Sequence, residues 1–290
     1  MHVTIDGQRL FFDIVGEKLR IEGPRLVEKP TLIAMHGGPG FDHQRLRPDL
    51  DGLSDLAQVL YLDHRGNGRS LPSNPATWTL DQWADDIRAL CDTLGIHKPI
   101  VLGNSFGGLV AMAYLIRHPG HAGGAILSST AAWYDFPAIF AAFERRGGPQ
   151  GGKAARTAAE NFWRRQAPED IAEYHRLCSP LYNTRPPADP HQPARTLANP
   201  EMSRHFLAPT GEIHRLDFRP ALHTVTCPVL VLAGREDPIT PPEFSETIAA
   251  HLPPATTRLA IIENAGHGPF RDAPQQVLPL LRHWITHLPT

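Results

Sequence analysis

At 290 residues, 41% of them apolar and 20% charged, the chain can bury a large core and has the make-up of an ordinary soluble globular protein. A net charge of −2 without long runs of one sign offers no electrostatic footprint for nucleic acid or an anionic membrane surface. Three widely spaced cysteines, Cys91, Cys178 and Cys227, form no CxxC pair, which argues against a disulfide framework or a zinc site.

In chain order, the N-terminal "MHVTIDGQRL" shows no basic segment leading into an apolar one, and no later run approaches the roughly 18 apolar residues that span a bilayer. A cytoplasmic protein without a membrane partner is expected. "HVTIDGQRLFFDIVG" reads instead as a hairpin turning at Asp6-Gly7, a pair that tolerates positive φ. Short apolar runs at 31–35, 58–63, 99–104 and 124–129 have the composition of strands buried in a parallel sheet. Between them, Trp83, Ile87, Leu90 and Leu94 recur at helical spacing and predict a helix over Leu80–Leu94. Thr79 with Gln82 forms its capping box, Gly95 ends it, and Cys91 is a small packing residue within it. Alternating strand and helix signals predict an α/β class fold, a mostly parallel, doubly wound sheet.

The alternation lapses from 131 to 225. A glycine-rich stretch at 145–153 reads as flexible, Pro180–Pro200 holds six prolines, and the residues between favour helix. The expected division is an α/β core over 1–130 and 226–290 with a helical cap inserted at 131–225. The strand pattern returns at 228–237 and 257–268, and an amphipathic helix closes the chain.

The chemistry centres on "VLGNSFGGLVAMAYLIRHP", in which Gly103-Asn104-Ser105-Phe106-Gly107 fits G-x-S-x-G between an apolar strand and a small-residue helix. That context suits a nucleophile elbow, with Ser105 projecting its hydroxyl from the turn near the positive end of a helix. A serine nucleophile needs a base and the base an orienting acid. His267, flanked by Gly266 and Gly268, and Asp237, at the end of an earlier strand, follow Ser105 in the order that α/β hydrolases use. Glu236 is the rival acid, and Asp237 also has a plain reading as the cap of a helix near Glu243. The loop "HGGPG" at 36–40 follows a strand and offers backbone N–H groups to an oxyanion. The expected donors are Phe106 and Gly38, with Gly37 the alternative, while His36 shapes the loop. Asp63, Arg65 and Arg69 are expected to lock the turn at 63–70; Gly66-x-Gly68 lacks the following helix of a dinucleotide loop. His283 and His287 lack the Glu of an HExxH zinc motif.

Together "HGGPG", "DHRGNGRS" (63–70), "GNSFGG" (103–108), "GREDPITP" (234–241) and "NAGHG" (264–268) resemble the α/β-hydrolase superfamily, in its proline iminopeptidase-like branch. The resemblance implies a triad of Ser105, Asp237 and His267, an oxyanion hole of Gly38 and Phe106, and acyl-enzyme chemistry without metal or cofactor. Family aminopeptidases commonly read D-Q-R-G-S-G-R-S and G-G-S-W-G at the second and third motifs, departures that bear on substrate choice. Trp133, Phe136 and Phe140 are candidates to line an apolar pocket with Gly37. An aminopeptidase must also bind an ammonium group, for which Glu173, Glu201 and Glu212 are the candidates, although the lobe at 131–225 holds 12 Lys and Arg against 10 Asp and Glu. The substrate expected is a small, mostly apolar acyl compound or short peptide, N-terminal proline peptides first and esters or lactones second. A non-catalytic receptor on this fold is disfavoured because neither triad nor glycine loop is broken.

Overall fold

In the computed structural model, which describes residues 1–289, the apolar runs become the strands of an eight-stranded sheet. β1 (His2–Ile5) and β2 (Gln8–Val15) form the hairpin that turns at Asp6-Gly7. A second hairpin, β3 (Leu19–Glu22) and β4 (Arg25–Glu28), stands apart from the sheet and was not legible, because its eight residues bury no side chain to give it an alternating pattern. β5 (Thr31–Met35), β6 (Gln58–Asp63), β7 (Ile100–Asn104), β8 (Gly124–Ser128), β9 (Val229–Gly234) and β10 (Thr257–Ile262) are mutually parallel. The spatial order is β1-β2-β6-β5-β7-β8-β9-β10, with β2 antiparallel to β6. The last two strands end earlier than their apolar runs suggest, and the residues beyond them turn into loops.

Because successive strand residues point to opposite faces, β5 divides its side chains between two cores. Ile33 and Met35 join α1 (Leu80–Leu94) and α2 (Phe106–Arg117) on one face. Leu32 and Ala34 join the C-terminal helix on the other, with Val277, Leu281 and Trp284. Thr79 caps α1 by accepting from the Gln82 N–H at 3.1 Å, and Gly95 ends it with φ 65°. Trp83, Ile87 and Leu90 are buried as expected; Leu94, in the last turn, is not, being 38% exposed. α2 is apolar all round because it lies between the sheet and α1, and only its C-terminal end reaches solvent.

Between β8 and β9 the chain is helical: α3 (Phe136–Arg165), α4 (Pro168–Leu177), α5 (Gln192–Arg195) and α6 (Pro200–Leu207). The stretch at 145–153 is not the flexible loop expected. Two helical arms of α3 meet at a kink where Gly148 takes φ 65°, ψ −167°. Gly147 and Gly152 face each other there, and a Cβ on Gly147 would lie 2.8 Å from the Gly152 Cα. These glycines serve close approach of two helices rather than mobility. α7 (Pro242–His251), α8 (Pro269–Asp272) and α9 (Pro274–Thr286) complete the chain. Among the described residues no helix is long and apolar enough to cross a membrane, and no group of three or more His, Cys, Asp or Glu is placed to hold a metal ion.

Candidate active site

At the carboxyl end of β7 the chain must reverse into α2 within one residue, and Ser105 does so at φ 54°, ψ −120°, a region that non-glycine residues rarely occupy. The turn is held by Ser105 N–H donating to the Ser128 carbonyl at 2.9 Å and Gly108 N–H donating to the Ser105 carbonyl at 2.8 Å. The flanking glycines are required by crowding: a Cβ on Gly107 would collide with the Met35 carbonyl, and one on Gly103 with the Gly107 backbone. The hydroxyl is thereby pushed out of the turn, at the N-terminus of a twelve-residue helix.

His267 approaches from the loop after β10. Its Nε2 lies 2.9 Å from Ser105 Oγ and its Nδ1 2.8 Å from Asp237 Oδ2. With a carboxylate at Nδ1, that nitrogen carries the proton and leaves Nε2 as the acceptor for the serine hydroxyl. Asp237 is buried and fully hydrogen-bonded: Oδ1 accepts from the N–H groups of Ile239 (2.8 Å) and Thr240 (3.0 Å), and Oδ2 from the Thr240 hydroxyl (2.8 Å). It is not the cap of α7, which starts at Pro242 without a side-chain cap. Glu236 points elsewhere, 3.6 Å from Arg146 and 43% exposed. β9 ends at Gly234, and the turn beyond it that folds back over Asp237 separates the two acids.

Residues that the sequence did not mark hold the histidine loop in place. His267 N–H donates to the Tyr182 carbonyl at 2.7 Å, and Gly268 N–H to Asn183 Oδ1 at 2.9 Å. The buried Asp272 accepts from Gly266 N–H (2.8 Å), Thr184 N–H (2.9 Å) and Arg185 N–H (3.3 Å). One carboxylate thus clamps the 182–185 segment to the loop that carries His267. Thr240 carried a faint signal as a hydroxyl three residues after the acid; Asn183 and Asp272 carried none, because their partners are more than 80 residues away or are backbone groups.

The glycine loop lies beside the serine: a Cβ on Gly37 would stand 3.0 Å from Ser105 Cβ and 3.6 Å from Oγ. His36 is buried, donates from Nδ1 to the Gly37 carbonyl at 2.8 Å and accepts from His64 N–H at Nε2 (3.2 Å). Desolvation holds its pKa below the ordinary value, so the ring stays neutral in the one tautomer that makes both bonds. Pinning the Gly37 carbonyl turns the N–H of the trans Gly37–Gly38 peptide away from His36. α6 braces the far side of the loop through Asn199 N–H to the Gly40 carbonyl (2.6 Å) and Ser203 Oγ–H to the Pro39 carbonyl (2.6 Å). Phe106 opens α2, so its N–H is one of the donors a helix start leaves without an intrahelical partner. The turn at 63–70 is locked as expected: Asp63 accepts from His43 and from Arg69 N–H, Arg65 pairs with Asp86 at 2.5 Å, and Arg69 with Asp42 at 2.8 Å.

The expected pocket residues scatter. Phe140 is buried, and the partly buried Phe136 stacks on His214 at 4.7 Å and lies tilted against Trp163 at 5.3 Å within the helical lobe. Trp133 is 38% exposed beneath the Arg219 guanidinium. The three glutamates do not gather. Glu173 is half-exposed and paired with Arg176 at 2.6 Å, Glu201 is exposed in the first turn of α6, and Glu212 accepts the Leu80 N–H at 3.1 Å, at the start of α1. Burial pushes the Glu212 carboxyl up, which that bond only partly offsets. Instead, three tyrosines converge within electrostatic reach of Asp237: Tyr134, Tyr174 and Tyr182, all held above the ordinary phenol value by desolvation first and by that negative charge among the lesser causes.

Asp49, on the segment after β5, has its carboxyl pushed up to about 6 by burial, with Arg271 opposing the shift and Asp272 reinforcing it. A raised carboxylate pKa means that the folded state holds the proton more tightly than the unfolded chain. Ionised Asp49 therefore costs stability as pH rises from about 4 to about 6, by about 3 kcal/mol at most above that window. Asp49→Asn is expected to raise the urea midpoint at pH 7.5 and to leave it unchanged at pH 4; a gain of equal size at both pH values would refute this account.

The sequence profile described as the alpha/beta hydrolase fold matches residues 30–274. The chain is 31% identical to the proline iminopeptidase PfmaB of Pestalotiopsis fici over 266 residues, covering 89% of this chain and 92% of that protein. Among solved structures it resembles the proline iminopeptidase of Mycobacterium smegmatis, with a TM-score of 0.78 at 20% identity over 99% of this chain and 97% of that one. It also resembles a thermophilic esterase from Thermogutta terrifontis, with a TM-score of 0.67 at 28% identity over the whole of both chains.

Proposed function

The chain belongs to the α/β-hydrolase family and is an α/β-fold hydrolase, and from that premise we propose that it is a serine hydrolase releasing N-terminal proline from short peptides. The observation that carries the reading is the hydrogen-bonded line Ser105–His267–Asp237 beside the glycine loop. In this reading His267 takes the Ser105 proton as Oγ attacks the carbonyl, and Asp237 holds the ring and balances the imidazolium. The N–H groups of Gly38 and Phe106 receive the oxyanion; a donor of this kind contributes roughly 3–4 kcal/mol to transition-state binding. His267 then protonates the leaving amine, and water, activated by the same base, releases the acyl group from Ser105. Residues 131–225 act as a cap that closes the substrate pocket over the core of 1–130 and 226–290. Proline as the residue released is supported by the printed names of relatives such as that of Pestalotiopsis fici.

A second reading, a carboxylesterase acting on small apolar acyl esters, is favoured by the dispersal of Glu173, Glu201 and Glu212, which do not come together as a cluster for an ammonium group. Assay of the purified protein on prolyl arylamide and on short acyl esters separates the two. Prolyl arylamide turnover above that of alanyl and leucyl arylamides is expected. Free cleavage of esters with no cleavage of prolyl amides would decide for the carboxylesterase.

A further inference from the structure

A histidine that protonates the leaving group must have that group on its own side of the scissile bond, opposite the oxyanion loop. Beyond His267 the chain enters α8, where Arg271 N–H donates to the Gly268 carbonyl at 3.0 Å, so the Arg271 side chain starts one turn from the base. There a cavity of about 320 Å³ is lined by Ser179, Asn183, Thr184, Arg185 and Arg271 among others. Asn183 belongs to both places, since it lines the cavity and its Oδ1 receives the Gly268 N–H. Its neighbour Tyr182 presents its ring edge-on to the His267 imidazole at 5.9 Å between centroids.

The charges around this cavity do not cancel. Arg185 is exposed and pairs with no carboxylate among the described residues. Arg271 meets one only at 3.5 Å, through Nε to Asp272, whose oxygens already accept from three backbone N–H groups. Arg45, its guanidinium 3.8 Å above the Phe41 ring, lies within electrostatic reach of Arg271 and Tyr182. The opposing acids are Asp272, Asp49, which faces Arg271, and Asp42, which is paired with Arg69. Two arginines lining one cavity are suited to a carboxylate, which a guanidinium can bind in bidentate fashion. The volume is at the lower end of the 300–1,000 Å³ range of small-molecule pockets, which suits a leaving group of one or two residues.

We infer that Arg271 and Arg185 bind a carboxylate on the leaving group, so that the preferred substrates are very short peptides with a free carboxyl end. The inference rests on the acyl-transfer reading of Ser105 and His267 but not on the identity of the acyl residue.

The test compares prolylglycine with prolylglycinamide in the wild-type protein and in Arg185→Gln, Arg271→Gln and the double variant. The free acid is expected to have a kcat/KM at least about tenfold above the amide, through KM, the effect of one charge-assisted contact. The ratio should approach one in the double variant, and in the wild type it should shrink between 0.02 and 0.5 M salt as the charges are screened. Should the arginine variants fail to fold, the wild-type ratio and its salt dependence decide alone. A wild-type ratio near one overturns the inference, as does an equal fall for acid and amide in the variants, which is the signature of a structural role. If prolyl substrates are not cleaved at all, the proline reading fails separately. The same ratio is then read on acetyl esters of glycolic acid and glycolamide, where a value near one again overturns the inference.

Discussion

Ser105→Ala is expected to lower turnover by at least about 10⁴-fold while leaving the protein folded. The hydroxyl touches the His267 ring and nothing in the core, so its removal opens no cavity. What remains is catalysis by the oxyanion donors and binding alone. The backbone at this position adds a second, independent result. At φ 54° a Cβ is strained, and glycine relieves it at an estimated gain of about 1 kcal/mol. Ser105→Gly is therefore expected to be as inactive as Ser105→Ala but to unfold at a higher temperature. An active-site serine reagent such as a sulfonyl fluoride should label Ser105 in the wild type and nothing in either variant. Labelling at another serine, or substantial turnover by the alanine variant, would remove the nucleophile assignment.

Asp237→Asn is expected to cost up to about 10⁴-fold in turnover with the fold retained. The amide keeps the shape of the side chain and can still accept from Ile239 and Thr240, but it can place its NH2 against His267 Nδ1 and so favour the tautomer that carries the proton at Nε2. A histidine protonated at Nε2 cannot take the proton of Ser105. Glu236→Gln, by contrast, loses only a long contact with Arg146 in a half-exposed pair and should change turnover less than about threefold. Measuring kcat/KM for both variants over pH 5–9 checks the assignment; a reversal of the two effects would move the acid to Glu236.

Much of this organisation was legible because its signals are local. The span of α1 follows from apolar spacing plus a cap three residues from its partner, and the buried parallel strands announce themselves as short runs apolar on both faces. The elbow is legible for the same reason: G-x-S-x-G between strand and helix leaves the chain few ways to turn. The order Ser105, Asp237, His267 likewise made those residues candidates before any distance was known.

Other features have no local cause. The glycines at 145–153 read as flexibility, yet they let two helical arms pack closely, because a missing Cβ has opposite consequences in an open chain and at a helix crossing. The glutamates proposed to bind an ammonium group differ only in what surrounds them: Glu173 pairs with Arg176, Glu201 is exposed, and Glu212 binds a helix start 132 residues away. Asp272 and Asn183, which join the segment at 182–185 to the histidine loop, are anonymous in the sequence because their hydrogen-bond partners are backbone groups, most of them more than 80 residues distant. The sequence by itself determined the sheet, the helices that flank it and the residue types at the centre of the site, since period, capping and turn chemistry act over a few residues. Which buried charges meet which donors, and which arginines are left facing a cavity, was decided only when the tertiary structure brought distant segments together. Desolvation and hydrogen-bond satisfaction depend on every neighbour in space, and those neighbours are not adjacent in the chain.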